Sequence, residues 1–251
     1  MRPWFEEYLM AATPGTEWKP QDDLAVRVCM HCSDAEKLAT YVQHCADRLI
    51  QDARCTPANA KALFFALDQT GDEKYRQALQ QVMASLDAQA DGTLSLSAAC
   101  QTLPFRMAYE MKLNRMERVG QTAAIFRSVH QRLWNKKEGR HNASLREEAW
   151  FLMALMDAVE TCSDQLYEHW RALVDIYRQT LTGALRAMAD ADPKTQALLL
   201  YALLRGVRRG LIDPERYLPV VRKGMQALQR NGEDQAAEAL EKMFGVSACL
   251  K

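Results

Sequence analysis

Three stretches of the chain are apolar on nearly every side when wound as a helix: 62–67 (ALFFAL), 150–159 (WFLMALMDAV) and 197–204 (ALLLYALL). A helix without a polar face must be buried all round. Each is followed by a one-sided helix. Residues 75–86 carry Tyr75, Leu79, Val82, Met83 and Leu86; 166–185 carry Leu166, Trp170, Val174, Tyr177 and Leu181; 217–228 carry Tyr217, Val221, Met225 and Leu228. Spacings of three and four put these on one stripe with a solvated back. A further pair, weaker in its first member, runs 103–112 and then 116–134. Buried helix followed by covering helix, repeated, predicts a ring of helical hairpins with a cup at one end of its inner helices.

The pattern predicts helices at 22–31, 34–52, 57–69, 73–89, 97–112, 115–134, 144–161, 164–186, 193–209, 213–230 and 233–244, with a short one at 3–11. The punctuation agrees. Asp192-Pro193 and Asp213-Pro214 each supply an N-cap followed by proline at the first helical position. Gly71-Asp72 ends one helix and opens the next, and Asn231-Gly232 ends the tenth. The hairpin unit recurs about every 45 residues, as helical repeats and toroids do. No Pro/Gly/Ser-rich linker divides the chain. The expected fold is therefore all-α, an (α/α)6-barrel-like toroid of five to six hairpins in one domain, 1–251. Segment 1–21 is partly irregular, and its stretch 11–21 is placed to lie across the cup.

Composition narrows the function classes. Lys plus Arg and Asp plus Glu number 32 each, so no net field draws the chain to nucleic acid or to an anionic membrane. The basic cluster Arg205, Arg208 and Arg209 reads as a solvated helix end. No apolar run approaches the roughly 18 residues of a membrane span. Glu6 and Glu7 stand where an export signal would be apolar. Seven cysteines without framework spacing suit a reducing cytoplasm.

Four segments resemble a known group: TGDEKY at 70–75, LPF at 103–105, REEAWFLMALMDAVE at 146–160 and GVRRGLIDPERYLPVVRK at 206–223. They are similar to the unsaturated glucuronyl and rhamnogalacturonyl hydrolases, glycoside hydrolase families 88 and 105, over about 55–230. The first segment is generic to (α/α) toroids; the last two are more specific. The resemblance implies an (α/α)6 barrel acting on uronyl oligosaccharides, with no cofactor or metal. It also implies a carboxylic acid that protonates the vinyl ether of a Δ4,5-unsaturated uronyl residue, followed by addition of water. The chain departs from that pattern at the acids. The family Asp before the LPF-like motif falls on Ser97, and a second family Asp falls in Cys55–Asn59, which holds no carboxylate. Of the family's Trp-x-Arg-Gly-Asn-Gly-Trp motif, Arg146 and Trp150 remain, and His141 matches a family His in the preceding loop. Protonating an enol ether carbon needs an acid whose pKa is raised by burial or neighbours, and Ser, Thr or Cys cannot supply it at neutral pH. The usual activity is therefore expected to be lost or reworked.

The cup would be lined by the segments entering each inner helix, whose N-termini favour anions. Asp91 and Glu147 are candidate relocated acids. The alternative makes Asp91 a turn residue before Gly92, and makes Glu147 and Glu148 partners of a helix dipole. Trp18, Ser97, Gln101, His141, Arg146 and Trp150 are candidate substrate-binding residues. A ligand role for Trp150 competes with plain core packing, which is also the expectation for Trp170. Asn59 and Asp192 lie on the same entering segments. His130 and His169 read as surface residues. Cys29-Met30-His31-Cys32 has C-x-x-C spacing before a helix, but no second pair completes a zinc site, so buried small side chains are the expectation. The function expected is a glycan-binding or glycan-hydrolysing protein with the family acids missing. The competing reading is a non-enzymatic scaffold whose cup or outer face binds a protein partner.

Overall fold

The computed structural model describes residues 20–31, 36–88, 93–162 and 164–232. The helices expected at 3–11 and 233–244, and most of the segment 11–21, lie outside these residues. Ten α-helices occur among the described residues: α1 (Pro20–His31), α2 (Glu36–Gln51), α3 (Ala60–Thr70), α4 (Glu73–Ala88), α5 (Leu96–Lys112), α6 (Val119–Leu133), α7 (Leu145–Thr161), α8 (Tyr167–Arg186), α9 (Pro193–Arg208) and α10 (Pro214–Arg230). Short 3-10 turns, Asp164–Leu166 and Met188–Asp190, precede α8 and α9. The β-structure is one antiparallel ribbon of two-residue strands, β1 (Trp134–Asn135) and β2 (Arg140–His141), which pairs Trp134 with His141. The all-α expectation holds, and no described helix is long and apolar enough to cross a membrane.

The chain divides into two compact units, one built on α1–α4 and the other on α5–α10. In the first, α3 buries Ala62, Leu63, Phe64, Ala66 and Leu67, as its all-round apolar sequence requires. Helix α4 covers it with Tyr75, Leu79, Val82, Met83 and Leu86. Gly71 closes α3 in the left-handed conformation (φ 67°), which costs glycine little. The Tyr75 hydroxyl donates to Asp47 on α2 at 2.7 Å, tying the α4 stripe to that helix.

The second unit is organised around α7. Its residues Phe151–Met156, Ala158 and Val159 are all buried. It packs between α5 and α9 and is covered by α8. Each large side chain buried there contributes about 1.5–3 kcal/mol relative to exposure. Of the stripe expected on α8, Val174, Tyr177 and Leu181 are buried, together with Leu173, while Leu166 and Trp170 are only half-buried; on α10 Val221, Met225 and Leu228 are buried and Tyr217 is half-buried. Gly206 lets α9 and α8 approach closely, since a Cβ there would sit 2.1 Å from the Tyr177 hydroxyl oxygen. That hydroxyl donates to the Ala202 carbonyl at 2.9 Å.

Two expectations are corrected here. Arg205 is not a solvated helix end: it is 2% exposed. Its guanidinium reaches Asp157 at 2.5 Å and Glu160 at 2.6 and 3.0 Å, carboxylates three residues apart on the last turn of α7. The same guanidinium lies 5.2 Å from the Tyr201 ring centroid. Helix α6 starts at Val119, not 115, because Arg115 and Met116 adopt positive φ (53° and 65°). The buried carboxylate of Glu110 organises that turn by accepting from Asn114 Nδ2 and from the backbone and Nε of Arg118.

Candidate functional site

Helices α5, α7 and α9 of the second unit stand side by side and point the same way. Cys100 on the first turns of α5 feels the charge of Glu147, and Arg146 at the start of α7 lowers the pKa of Asp192, the N-cap of α9. Their N-termini therefore form one rim, and their partial positive charges add there. Ser95 caps α5 by accepting from the Ala98 N–H at 3.2 Å. Asp192 caps α9 by accepting from the N–H groups of Lys194 and Thr195, each at 3.1 Å.

On this rim Ser97 and Gln101 are exposed four residues apart on α5, and Arg146 and Trp150 are exposed four residues apart on α7. Residues at that spacing share a helix face. Trp150 is 37% exposed, which corrects the expectation that it packs in the core. Its α7 neighbours Phe151 and Leu152 fill the interior instead. Lys194 is also exposed at the start of α9.

Glu147 closes a capping box. Its carboxylate accepts from the Ser144 N–H at 3.0 Å and the Ser144 hydroxyl at 2.8 Å, while its own N–H donates to Ser144 Oγ at 3.2 Å. Asp91 and Trp18 lie outside the described residues. Asn59 turns back on its own loop, accepting from the Thr56 N–H at 2.8 Å and donating to the Arg54 carbonyl at 3.0 Å.

His141 does not join the exposed rim. It is buried at the end of β2, and both ring nitrogens are engaged. Nδ1 lies 3.1 Å from Glu148 Oε1, which also accepts the His141 backbone N–H at 2.6 Å. Nε2 faces His130 Nδ1 at 3.0 Å, and His130 Nε2 reaches Gln179 Oε1 on α8 at 3.2 Å. Arg140 donates to the second Glu148 oxygen at 2.7 Å. Trp134 and Phe151 pack against the imidazoles, with ring centroids 4.9–5.3 Å away. His130 is thus buried, not a surface residue as its polar sequence neighbours imply. His169 is half-buried and sits against Gly120. Sequence reasoning placed Glu148 at the helix dipole and did not find its role at the centre of this network. The available signal was the eight-residue spacing from Arg140 to Glu148 across a short turn.

The electrostatics of the site run in one direction. Burial pushes the Glu148 carboxyl up, but hydrogen bonds from the His141 ring and backbone, and from Arg140, outweigh this and hold it below the usual carboxylate range. Asp192 is held low chiefly by the Thr195 hydroxyl and backbone, with Arg146 adding to them. Burial, with Glu147 nearby, pushes the Cys100 thiol up to about 12. Burial beside His141 pushes His130 down to about 4, against the hydrogen bond to Gln179. Glu148 and Asp192 thus hold their negative charge, the opposite of what a proton donor to carbon needs. Of the C-x-x-C pair, Cys32 lies outside the described residues and Cys29 is half-buried.

No protein-family model matches the chain, and no curated protein matches it. Solved structures do. A family 105 glycoside hydrolase from C. acetobutylicum ATCC 824 is similar with a TM-score of 0.67 at 18% identity, over 82% of this chain and 74% of the other. A family 88 glycosyl hydrolase from Bacteroides vulgatus gives 0.70 at 12% identity, over 90% and 82%. A polysaccharide lyase gives 0.77 at 11% identity, over 99% and 96%. At these identities the likeness concerns the fold, and the chain has the all-α (α/α)6-toroid fold seen in glycoside hydrolase families 88 and 105.

Proposed function

We propose that the rim formed by α5, α7 and α9 binds an acidic sugar, of the uronyl oligosaccharide class, and does not carry out the proton transfer to carbon of family 88/105 enzymes. The carrying observation is the exposure of Arg146 and Trp150 one turn apart on α7, together with that of Ser97 and Gln101 on α5, which packs against it. Arg146 offers a fork for a carboxylate and Trp150 an apolar face for a sugar ring. Gln101 and Ser97 offer hydroxyl partners, and three helix N-termini with Lys194 favour negative charge. These are properties of a site for an anionic carbohydrate, and the glycan-active neighbours of the fold are consistent with it.

Ser97, standing where the family resemblance places an aspartate, supports the absence of turnover. Glu147 is occupied by its capping box, and Asp91 keeps the place of a second candidate acid. The thiols of Cys45, Cys55 and Cys100 lie outside disulfides, which fits a reducing, cytoplasmic setting. Saturation-transfer NMR on a mixture of unsaturated uronyl disaccharides, read beside the absorbance of their chromophore, tests this reading. Transfer to the sugar protons with unchanged absorbance is expected. Loss of absorbance at a rate proportional to protein concentration would identify an active hydrolase, with Asp91→Asn and Glu147→Gln locating the acid. No transfer to any disaccharide would leave the protein-binding scaffold as the better reading.

A further inference from the structure

Four ring nitrogens belong to His130 and His141, and three contacts use them. His141 Nδ1 donates to Glu148, and His130 Nε2 donates to Gln179 Oε1. The facing nitrogens, His141 Nε2 and His130 Nδ1, lie 3.0 Å apart. Only one proton fits between two nitrogens at that distance, one donating and the other accepting. Two neutral imidazoles bring two of these protons, a third completes the contact between the rings, and the pair therefore holds at most three while all contacts stay made. A fourth sets N–H against N–H inside a closed, largely apolar space, with no acceptor for either.

The surroundings offer the extra proton no relief. From α7 the facing charge is Glu148, already engaged by His141 and Arg140. From the ribbon it is Arg140, a like charge. From α8 it is the neutral Gln179, with Arg186 further along beside Gly139. On α6 itself Arg127 and Arg132 are exposed, and Arg132 donates to the Leu94 carbonyl. Trp134 and Phe151 complete the enclosure with rings. His130 sits on α6 and His141 on the ribbon, so their repulsion acts across that junction.

We propose that the His130–His141 pair is an acid-operated latch: uptake of the fourth ring proton, which leaves both imidazoles cationic, separates the ribbon Trp134–His141 from α6 and loosens the start of α7. His141 and Arg140 both hold Glu148, two residues from Arg146 and two from Trp150. Release of the ribbon therefore removes the support of the rim. The latch rests on the imidazole geometry and not on the sugar-binding reading, and its test needs no ligand.

Hydrogen exchange of the ribbon amides, corrected for intrinsic rates, tests it across pH 7 to 4. In the wild-type protein, protection of residues 134–143 is expected to fall by about tenfold or more, well ahead of the α7 and α9 cores. In His130→Gln, which keeps a side chain of similar reach that does not titrate, the step should be absent. Unchanged wild-type protection, or an equal step in the variant, would overturn the latch. Should the variant fail to fold, imidazole nitrogen NMR of the wild-type protein decides the matter. His130 protonation and movement of the ribbon amide shifts should share one midpoint. Titration of His130 with the ribbon amides unmoved would contradict the proposal.

Discussion

Glu148 Oε1 accepts both the backbone N–H and the ring Nδ1–H of His141, at 2.6 and 3.1 Å, while neither residue's side chain is exposed. One carboxylate thus fixes the end of the ribbon, the orientation of the imidazole and the first turn of α7. Removing it leaves Arg140 and two donors of His141 without their acceptor. Glu148→Ala is expected to destabilise the protein by about 3–5 kcal/mol, the usual cost of breaking a buried charge pair from one side. Glu148→Gln, which keeps an acceptor, should cost less. Urea unfolding followed by far-ultraviolet circular dichroism checks both.

His130 sets a pH dependence of stability. Its folded pKa, about 4, lies below the ordinary histidine value, so the unfolded chain takes up its proton first as pH falls. This contribution is fully present above about pH 6.5 and is lost progressively down to about pH 4. The loss should be on the order of 1–3 kcal/mol. Glu148, held low, loses its own contribution only at more acidic pH, as pH falls through its folded pKa. Unfolding free energies at pH 7 and 5 should therefore differ in the wild-type protein. The difference should shrink in His130→Gln.

Arg205 joins the ends of α7 and α9 through Asp157 and Glu160. Arg205→Met keeps the bulk of the stem but takes the buried cation from two nearly buried carboxylates, 11% and 13% exposed, of which Glu160 retains the exposed Arg209 at 3.5 Å. A loss of about 3–5 kcal/mol is expected. Asp157→Asn combined with Glu160→Gln in the same background should restore part of it, since the negative charges that Arg205 balanced are then gone. Thermal unfolding of the single and triple variants measures the recovery.

The approach of α8 to α9 at Gly206 makes a paired prediction. Gly206→Ala drives a methyl group into the Tyr177 hydroxyl, which cannot retreat from its bond to Ala202 without losing it. The expected cost is about 1–3 kcal/mol or more from overpacking. Tyr177→Phe removes the obstructing oxygen, so the double variant should be less destabilised than the two single effects sum to. A double-mutant cycle by chemical denaturation shows that coupling; strict additivity would mean that the contact is not felt.

How far the sequence reaches is clear from particular elements. Helices α3, α7 and α9 were legible because an all-round apolar segment has no alternative to burial, and α9 and α10 because Asp-Pro marks their starts. The start of α6 was not, because positive φ at Arg115 and Met116 is unusual for residues with a Cβ and is imposed by the buried Glu110. His130 lies between Val129 and Gln131 in a stretch that reads as solvated. Its burial depends on Gln179, 49 residues away, and on the ribbon. Arg205 misled for the same reason, since its partners lie 45 and 48 residues earlier. Among the site candidates, Ser97, Arg146 and Trp150 came from the resemblance and Gln101 from its place on an entering segment; all four are exposed, whereas the Glu148 network behind them was not legible. Asp91 and Trp18 lie outside the described residues.

Calorimetric titration of an unsaturated uronyl disaccharide into the wild-type protein, Arg146→Gln and Trp150→Ala decides whether the α5–α7–α9 rim is a site for acidic sugars. Saturable binding by the wild-type protein is expected, with no further heat of turnover. Each variant should bind about tenfold or more weakly, a loss of about 1.4 kcal/mol. Equal affinity in all three proteins would contradict the rim as the binding site, and continuing heat from turnover would contradict the loss of chemistry.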